Sequence, residues 1–112
     1  MNRRTARSVG ERYGVDLADV RIRVRMKEAG YFGFTNDRQH VVLARDAFAN
    51  EEEMARTLFH ERHHVGQLRA GTPYPRSDLE AAAMERETYA AERRWWDSHP
   101  LNPANRASGG PS

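Results

Sequence analysis

Two histidines and a glutamate in the middle of the chain have the types and the spacing of a hydrolytic metal site. His60 and His64 are four residues apart, and Glu61 directly follows the first of them, in the pattern HExxH. Residues four apart on a helix lie on one face, so both imidazole rings can reach a single metal ion. A carboxylate beside them can act as a general base on a water molecule at that ion. The pattern therefore indicates metal-assisted hydrolysis.

Residues 50–71 are predicted to form the helix that positions this motif, because both of its ends are marked. Asn50 can cap the first amides, and Glu53 stands where the carboxylate of a capping box reaches back to the cap. Gly71 suits the left-handed residue that closes a helix, and prolines follow within a few residues.

The faces of this helix favour a metal site at the edge of the core. An apolar stripe with Glu61 in its middle is formed by Met54, Leu58, Val65 and Leu68. Burying an ionised carboxylate costs several kcal/mol unless something compensates it. His60 and His64 lie on a polar stripe beside it, on which Gln67 is placed to orient a ligand. The alternative interpretation is a solvated helix on which Glu61 pairs with an arginine such as Arg62 or Arg69.

The motif resembles that of the zincin metallopeptidases, and more closely that of minimal gluzincin-like domains, which include toxin modules. The resemblance covers residues 31–92 in element order. It implies that His60 and His64 bind Zn²⁺, that Glu61 is the general base, and that a glutamate of the following helix is the third ligand. It also implies zinc-dependent hydrolysis of peptide bonds in a peptide or protein substrate. An inhibitor or immunity protein would be a further partner of a toxin module.

The third ligand is expected on the second long helix, at residues 79–96, where the candidates are Glu80, Glu85, Glu87 and Glu92. Glu80 is followed by alanine three residues later, which resembles the ExxA pattern of gluzincins, and we predict it as the ligand. A mirror argument across the helical hairpin points instead to Glu85, because His64 lies seven residues before Gly71. Glu87 shares a face with Glu80 and stays open as well. The group that stabilises the oxyanion is left open among Tyr89, Tyr74, His63 and Arg76.

The remaining elements predict an α+β fold with a single domain over residues 1–97. A helix over residues 2–13 precedes a small antiparallel three-stranded sheet, and an antiparallel hairpin of two long helices carries the metal site. Residues 20–27 alternate between apolar and basic side chains, which indicates a strand with one buried and one solvated face. The other strands are predicted at residues 31–35 and 39–44. Residues 98–112 are expected to be disordered.

Two smaller expectations concern the strand before the metal helix. The resemblance implies that residues 40–44 lie at the edge of the sheet and pair with an extended substrate. His40 is interpreted as a structural or solvated histidine, and His99, in the predicted tail, is not expected to be a ligand.

Composition narrows the function classes. The absence of cysteine excludes disulfides and thiolate zinc sites, so histidine and carboxylate are the available ligands. No segment has the roughly 18 apolar residues of a membrane span, and we expect a cytoplasmic protein, although a secreted or delivered effector would look the same. The net charge of +2 is weak evidence for nucleic acid, which is not the expected partner. The alternatives are a non-catalytic metal-stabilised binding domain and a basic nucleic-acid-binding or nuclease module.

Overall fold

The computed structural model describes residues 2–26 and 30–108 of the chain. Its elements are α1 (Arg3–Tyr13), β1 (Ile22–Arg25), β2 (Gly33–Thr35), β3 (Val41–Ala44), a 3-10 helix (Arg45–Phe48), α2 (Glu51–Arg69), α3 (Asp78–Asp97) and α4 (Pro103–Ser108). This confirms the predicted α+β class, with an N-terminal helix, three strands and two long helices. No helix within the described ranges is long and apolar enough to cross a membrane.

The sheet is mixed, which corrects the prediction of an antiparallel sheet. Its strand order is β1-β3-β2, in which β3 pairs with β1 in parallel and with β2 in antiparallel fashion. Hydrophobic alternation determines which face of a strand is buried but does not determine which strands are neighbours. Every residue of β3 is buried, as expected of a central strand. The prediction that residues 40–44 form a sheet edge is therefore wrong, and β2 is the edge strand nearest to α2.

The two faces of the sheet differ as the alternation predicted for residues 20–25, whereas Met26, expected on the buried face, is 53% exposed. Ile22 is buried against the helices, whereas Arg21, Arg23 and Arg25 are exposed on the opposite face. The strand itself is shorter than predicted, and Lys27 lies outside the described residues. The sheet thus has one helix-covered face and one basic face.

Helix α2 is the central element of the core. The side chain of Asn50 accepts a hydrogen bond from the amide of Glu53 at 2.8 Å, which confirms the predicted cap. Leu58 and Val65 are fully buried, so the predicted apolar stripe faces the core. After the helix, Gly71 has a φ of 101°, a conformation that glycine adopts without steric cost.

The segment that follows α3 is ordered and packed, unlike the disordered tail that composition predicted. His99 is buried against the aromatic rings of Tyr13, Trp95 and Trp96. Its Nε2–H donates to the Tyr13 carbonyl at 2.7 Å, and its Nδ1 accepts from the Leu101 amide at 3.0 Å. Both ring nitrogens are therefore satisfied inside the fold, and residues 98–105 belong to the domain. Residues 109–112 lie outside the described part of the chain.

Candidate metal centre

The hairpin of α2 and α3 brings His60, His64 and Glu85 together. One carboxylate oxygen of Glu85 lies 2.9 Å from Nε2 of His60, and the other contacts Nε2 of His64. One ligand atom from each residue lies within 4.8 Å of the other two. The helices run antiparallel, so residues at similar distances from the connecting loop face each other. The mirror argument from the sequence therefore pointed to the glutamate that lies beside both histidines.

The prediction of Glu80 as the third ligand is corrected by its position. Glu80 is exposed in the first turn of α3, where its Oε1 accepts a hydrogen bond from the Arg76 amide at 2.8 Å. Its own amide donates to Oγ of Ser77 at 3.1 Å, so this residue belongs to the helix cap. Glu87 is also exposed, and its carboxylate lies 3.5 Å from Nε2 of His63. Neither side chain reaches the histidine pair.

The donor set fits a catalytic zinc ion. Two histidines and a glutamate are a known catalytic ligand set, with bonds of about 2.0–2.2 Å. Tetrahedral geometry then places the donor atoms about 3.3–3.6 Å apart, which small side-chain rotations within this cluster can reach. The observed spacing of at most 4.8 Å is compatible with that arrangement. The three residues could therefore hold the ion and leave a fourth position for water.

A second layer of side chains orients both imidazole rings. Nδ1–H of His60 donates to Glu92 at 3.0 Å, and Nδ1–H of His64 donates to the Gln67 side-chain oxygen at 2.8 Å. The role of Gln67 was predicted. These bonds hold a proton on each Nδ1 and direct each Nε2 towards Glu85, which is the orientation that ligation through Nε2 requires.

Glu92 was weighed as a ligand but not recognised as an orienting residue. Its second oxygen accepts a hydrogen bond from Nε of Arg56 at 2.8 Å, so the carboxylate bridges an arginine and His60. Glu92 lies seven residues after Glu85, two turns along the same face of α3. That spacing was the signal in the sequence that could have identified it.

Glu61 is buried beside the histidine pair and is held from the sheet. Only 6% of its surface is exposed, and its Oε1 accepts a hydrogen bond from Oγ1 of Thr35 in β2 at 2.9 Å. Burial is the largest influence on its pKa and raises it, against the opposing effect of the two histidines. The arginines that might have paired with Glu61 are engaged elsewhere, since Arg62 and Arg69 donate to backbone carbonyls of residues 16 and 19. The solvated-helix alternative is not the arrangement found.

Hydrogen bonds within the cluster shift the pKa values of the two histidines and of Glu85 towards their charged forms. Burial lowers the pKa of His60, but hydrogen bonds to Glu85 and Glu92 outweigh it and raise that pKa to about 9. The pKa of His64 is raised in the same way, because its bonds to Glu85 and Gln67 overcome the effect of burial. Burial would raise the pKa of Glu85, yet its bonds to both histidines lower it to about 2. The hydrogen bonds within the cluster therefore favour the imidazolium forms of the histidines and the carboxylate form of Glu85.

The cluster opens into a cleft of about 850 Å³ between α2, α3 and β2. Tyr89 lies in its wall with its ring centroid 4.5 Å from that of His60, and Tyr74 donates its hydroxyl to the Thr35 carbonyl at 3.3 Å. Of the four proposed oxyanion stabilisers, these two tyrosines line the cleft. His63 contacts Glu87 and Phe59 on another side of the helix, and Arg76 lies in the exposed loop before α3.

No protein-family model, curated protein or solved structure matches this chain. Its function therefore has to be inferred from the chemistry of this cluster and of the cleft around it.

Proposed function

We propose that the protein is a zinc-dependent peptidase whose site consists of His60, His64 and Glu85 as ligands and Glu61 as the general base. The observation that supports this most directly is the meeting of two Nε2 atoms and one carboxylate at the wall of an open cleft. A buried carboxylate stands on the same helix as the two histidines. A helix cap or a solvated surface would need neither the burial nor the convergence of these groups.

Each residue has a distinct role in this proposal. A bound zinc ion would supply an acidic water molecule and a Lewis acid for the scissile carbonyl. Glu61 accepts the proton of the attacking water and later gives it to the leaving amine. Thr35 engages one oxygen of that carboxylate and thereby fixes the direction of the other. Glu92 and Gln67 hold the two imidazole rings in the orientation that ligation needs.

The cleft wall suggests how a peptide would be held. β2 is an edge strand, and residues 30–35 line the cleft, so an extended substrate can pair with β2 rather than with β3 as first expected. Tyr89 lies beside His60, where its hydroxyl can donate to the oxygen that becomes negatively charged. Its pKa is raised by burial and by the neighbouring carboxylates, so the hydroxyl keeps its proton at neutral pH.

The proposal is tested by Glu61→Gln, with Glu80→Gln as the matched control. Purified zinc-loaded proteins are assayed on a mixture of quenched fluorescent peptides, and their zinc content is measured. Loss of the general base should lower the rate by about 10²–10⁴-fold while zinc remains bound. Glu80→Gln removes the same charge from the exposed cap and should keep full activity. Equal activity of wild type and Glu61→Gln would show that the proposal is wrong.

A non-catalytic metal-stabilised domain is the second candidate. The observation that favours it is that the cluster joins α2 to α3 in a chain in which only 38% of the residues are hydrophobic. Such a domain would bind zinc and gain thermal stability. It would cleave none of the peptides, and Glu61→Gln would change neither zinc content nor stability greatly. The same two measurements therefore separate the candidates.

A further inference from the structure

The solvent-facing side of the sheet carries a row of arginines that the proposed peptidase site does not use. Arg21, Arg23 and Arg25 occupy alternate positions along β1 and are exposed, and Arg38 is exposed in the turn between β2 and β3. We call these four residues the arginine face. Side chains on one face of a strand are about 6.6 Å apart along it. The row therefore presents cations at a regular spacing.

The positive charge of the arginine face has no carboxylate partner within the part of the chain that the structure describes. Among residues 2–26 and 30–105, no carboxylate forms an ion pair with any of its four members. His40 is half-buried in the same part of the sheet, and the positive charges of the arginine face act on it. Its pKa is lowered first by burial and then by the charges of Arg23, Arg21 and Arg38. The face is thus a local concentration of cations that the small net charge of the chain conceals.

Aromatic side chains lie beside these cations. Phe34 is directly across β3 from Arg23, because both residues pair with Val42 and lie on the same face. The Phe34 ring is half-buried, lies 5.8 Å from the guanidinium carbon of Arg25 and meets the ring of Tyr31 edge-on. A groove that continues the surface along the outer edge of β1 is lined by Asn2, Arg3, Arg7, Arg21, Arg23 and Met26. Cations and an aromatic platform therefore adjoin a groove.

We propose that the arginine face binds single-stranded nucleic acid, with phosphates on the arginines and a base stacked near Phe34. Guanidinium groups bind phosphate oxygens through two parallel hydrogen bonds, which suits arginine better than lysine. Unstacked bases stack on aromatic rings in a sequence-tolerant way, whereas an acidic protein segment has no such use for the ring. This face is opposite the helix-covered face, so the proposal stands independently of peptidase activity.

The test is fluorescence anisotropy with a labelled oligothymidylate of about twelve nucleotides, titrated over a salt series. Arg21→Gln/Arg23→Gln is compared with Arg93→Gln/Arg94→Gln, which removes two exposed cations from α3. Each phosphate contact contributes about 0.7 to the slope of log K against log salt, or about fivefold in affinity at 0.1 M relative to 1 M. The first variant should therefore bind about 25-fold more weakly, with a slope about 1.4 shallower, and the control should bind like wild type.

Three results would overturn the proposal. One is a salt-independent or undetectable interaction of the wild-type protein, which needs no variant and no folding control. Another is an equal loss of affinity in both double variants, which would indicate attraction by overall charge alone. The third is tighter binding of a decaglutamate peptide or of a duplex of the same length than of the single strand, which would assign the face to a different partner. Circular dichroism of each variant confirms that the compared proteins are folded.

Discussion

Zinc binding to this cluster should expel more protons than binding to two ordinary histidines. The ion needs the lone pairs on Nε2 of His60 and His64, and in the metal-free protein those nitrogens donate to Glu85. Hydrogen bonds to Glu85 and Glu92, opposed by burial, raise the pKa of His60 to about 9. The pKa of His64 is raised as well. A metal ion therefore has to displace the Nε2 proton of His60, and the raised pKa of His64 increases the fraction of a proton that it displaces there.

The expected number of protons follows from these pKa values. Two histidines with the usual pKa near 6.5 together carry about half a proton at pH 7. His60 alone carries nearly a full proton at that pH, and His64 adds part or all of another. Glu85, with a pKa of about 2, is already ionised and releases none. We expect the release of about one to two protons, so the logarithm of the apparent affinity should rise by about one to two per pH unit.

Isothermal titration calorimetry measures this directly. Zinc is titrated into the metal-free protein at pH 7 in three weakly coordinating buffers that differ in ionisation enthalpy, and the slope of the observed enthalpy gives the proton count. Glu85→Gln removes the carboxylate that raises both histidine pKa values, so its count should fall towards half a proton. A wild-type slope of half a proton or less would refute the assignment of these hydrogen bonds as the cause.

Three further predictions concern stability and affinity. Metal-free protein should be most stable between pH 4.5 and 6.5, because the raised pKa of His60 contributes stability that is lost as the pH rises through about 9, and the lowered pKa of Glu85 contributes stability that is lost as the pH falls towards 2. Urea unfolding measured from about pH 2 to pH 10 tests this, and a stability maximum above pH 8 would contradict it. Glu85→Gln should lower zinc affinity by about 10²–10³-fold, since four-ligand sites provide about 3–4 kcal/mol per ligand. Gln67→Ala should lower it by about 10–100-fold, because Gln67 only orients a ligand. Chelator competition measures both affinities, and the control Glu80→Gln should match wild type. His99→Leu removes the hydrogen bonds to the Tyr13 carbonyl and the Leu101 amide and should cost about 2–4 kcal/mol of unfolding free energy. An unchanged denaturation midpoint would indicate that residues 98–105 contribute nothing.

The glutamate that lies beside the histidine pair shows where sequence patterns mislead. Glu80 matched a short motif carried over from a resemblance, whereas Glu85 followed from the geometry of an antiparallel helical hairpin. The hairpin argument found Glu85 because the length of the connecting loop determines which turns of the two helices face each other. A Glu in the first turn of a helix is also a common capping residue, and this competing role is the one that Glu80 has.

The sheet and the C-terminal segment illustrate two different limits. Alternation in residues 20–27 predicted which face of β1 is buried, since it depends only on local geometry. Strand order depends on long-range pairing, which local alternation does not encode. All four residues of β3 are buried because the strand lies between β1 and β2. The segment after α3 was misjudged because its composition is polar, while its order depends on one ring, His99, and on the aromatic residues around it.

The charge balance of the cluster explains how one fold can suit both the protonated and the metal-bound forms. With both imidazoles protonated, His60 and His64 contribute two positive charges next to the single negative charge of Glu85. A zinc ion that replaces the two protons also contributes two positive charges, so the net charge facing Glu61 and Glu92 is unchanged. Buried charges are costly mainly when they are uncompensated. Exchange of two protons for one dication would therefore require no change in the surrounding carboxylates. It would also leave the hydrogen bonds of Glu92 and Gln67 to Nδ1 in place, because the ion binds at Nε2. The orientation of the ligands is thus prepared before the ion arrives, which is the property expected of a site that uses a metal for chemistry.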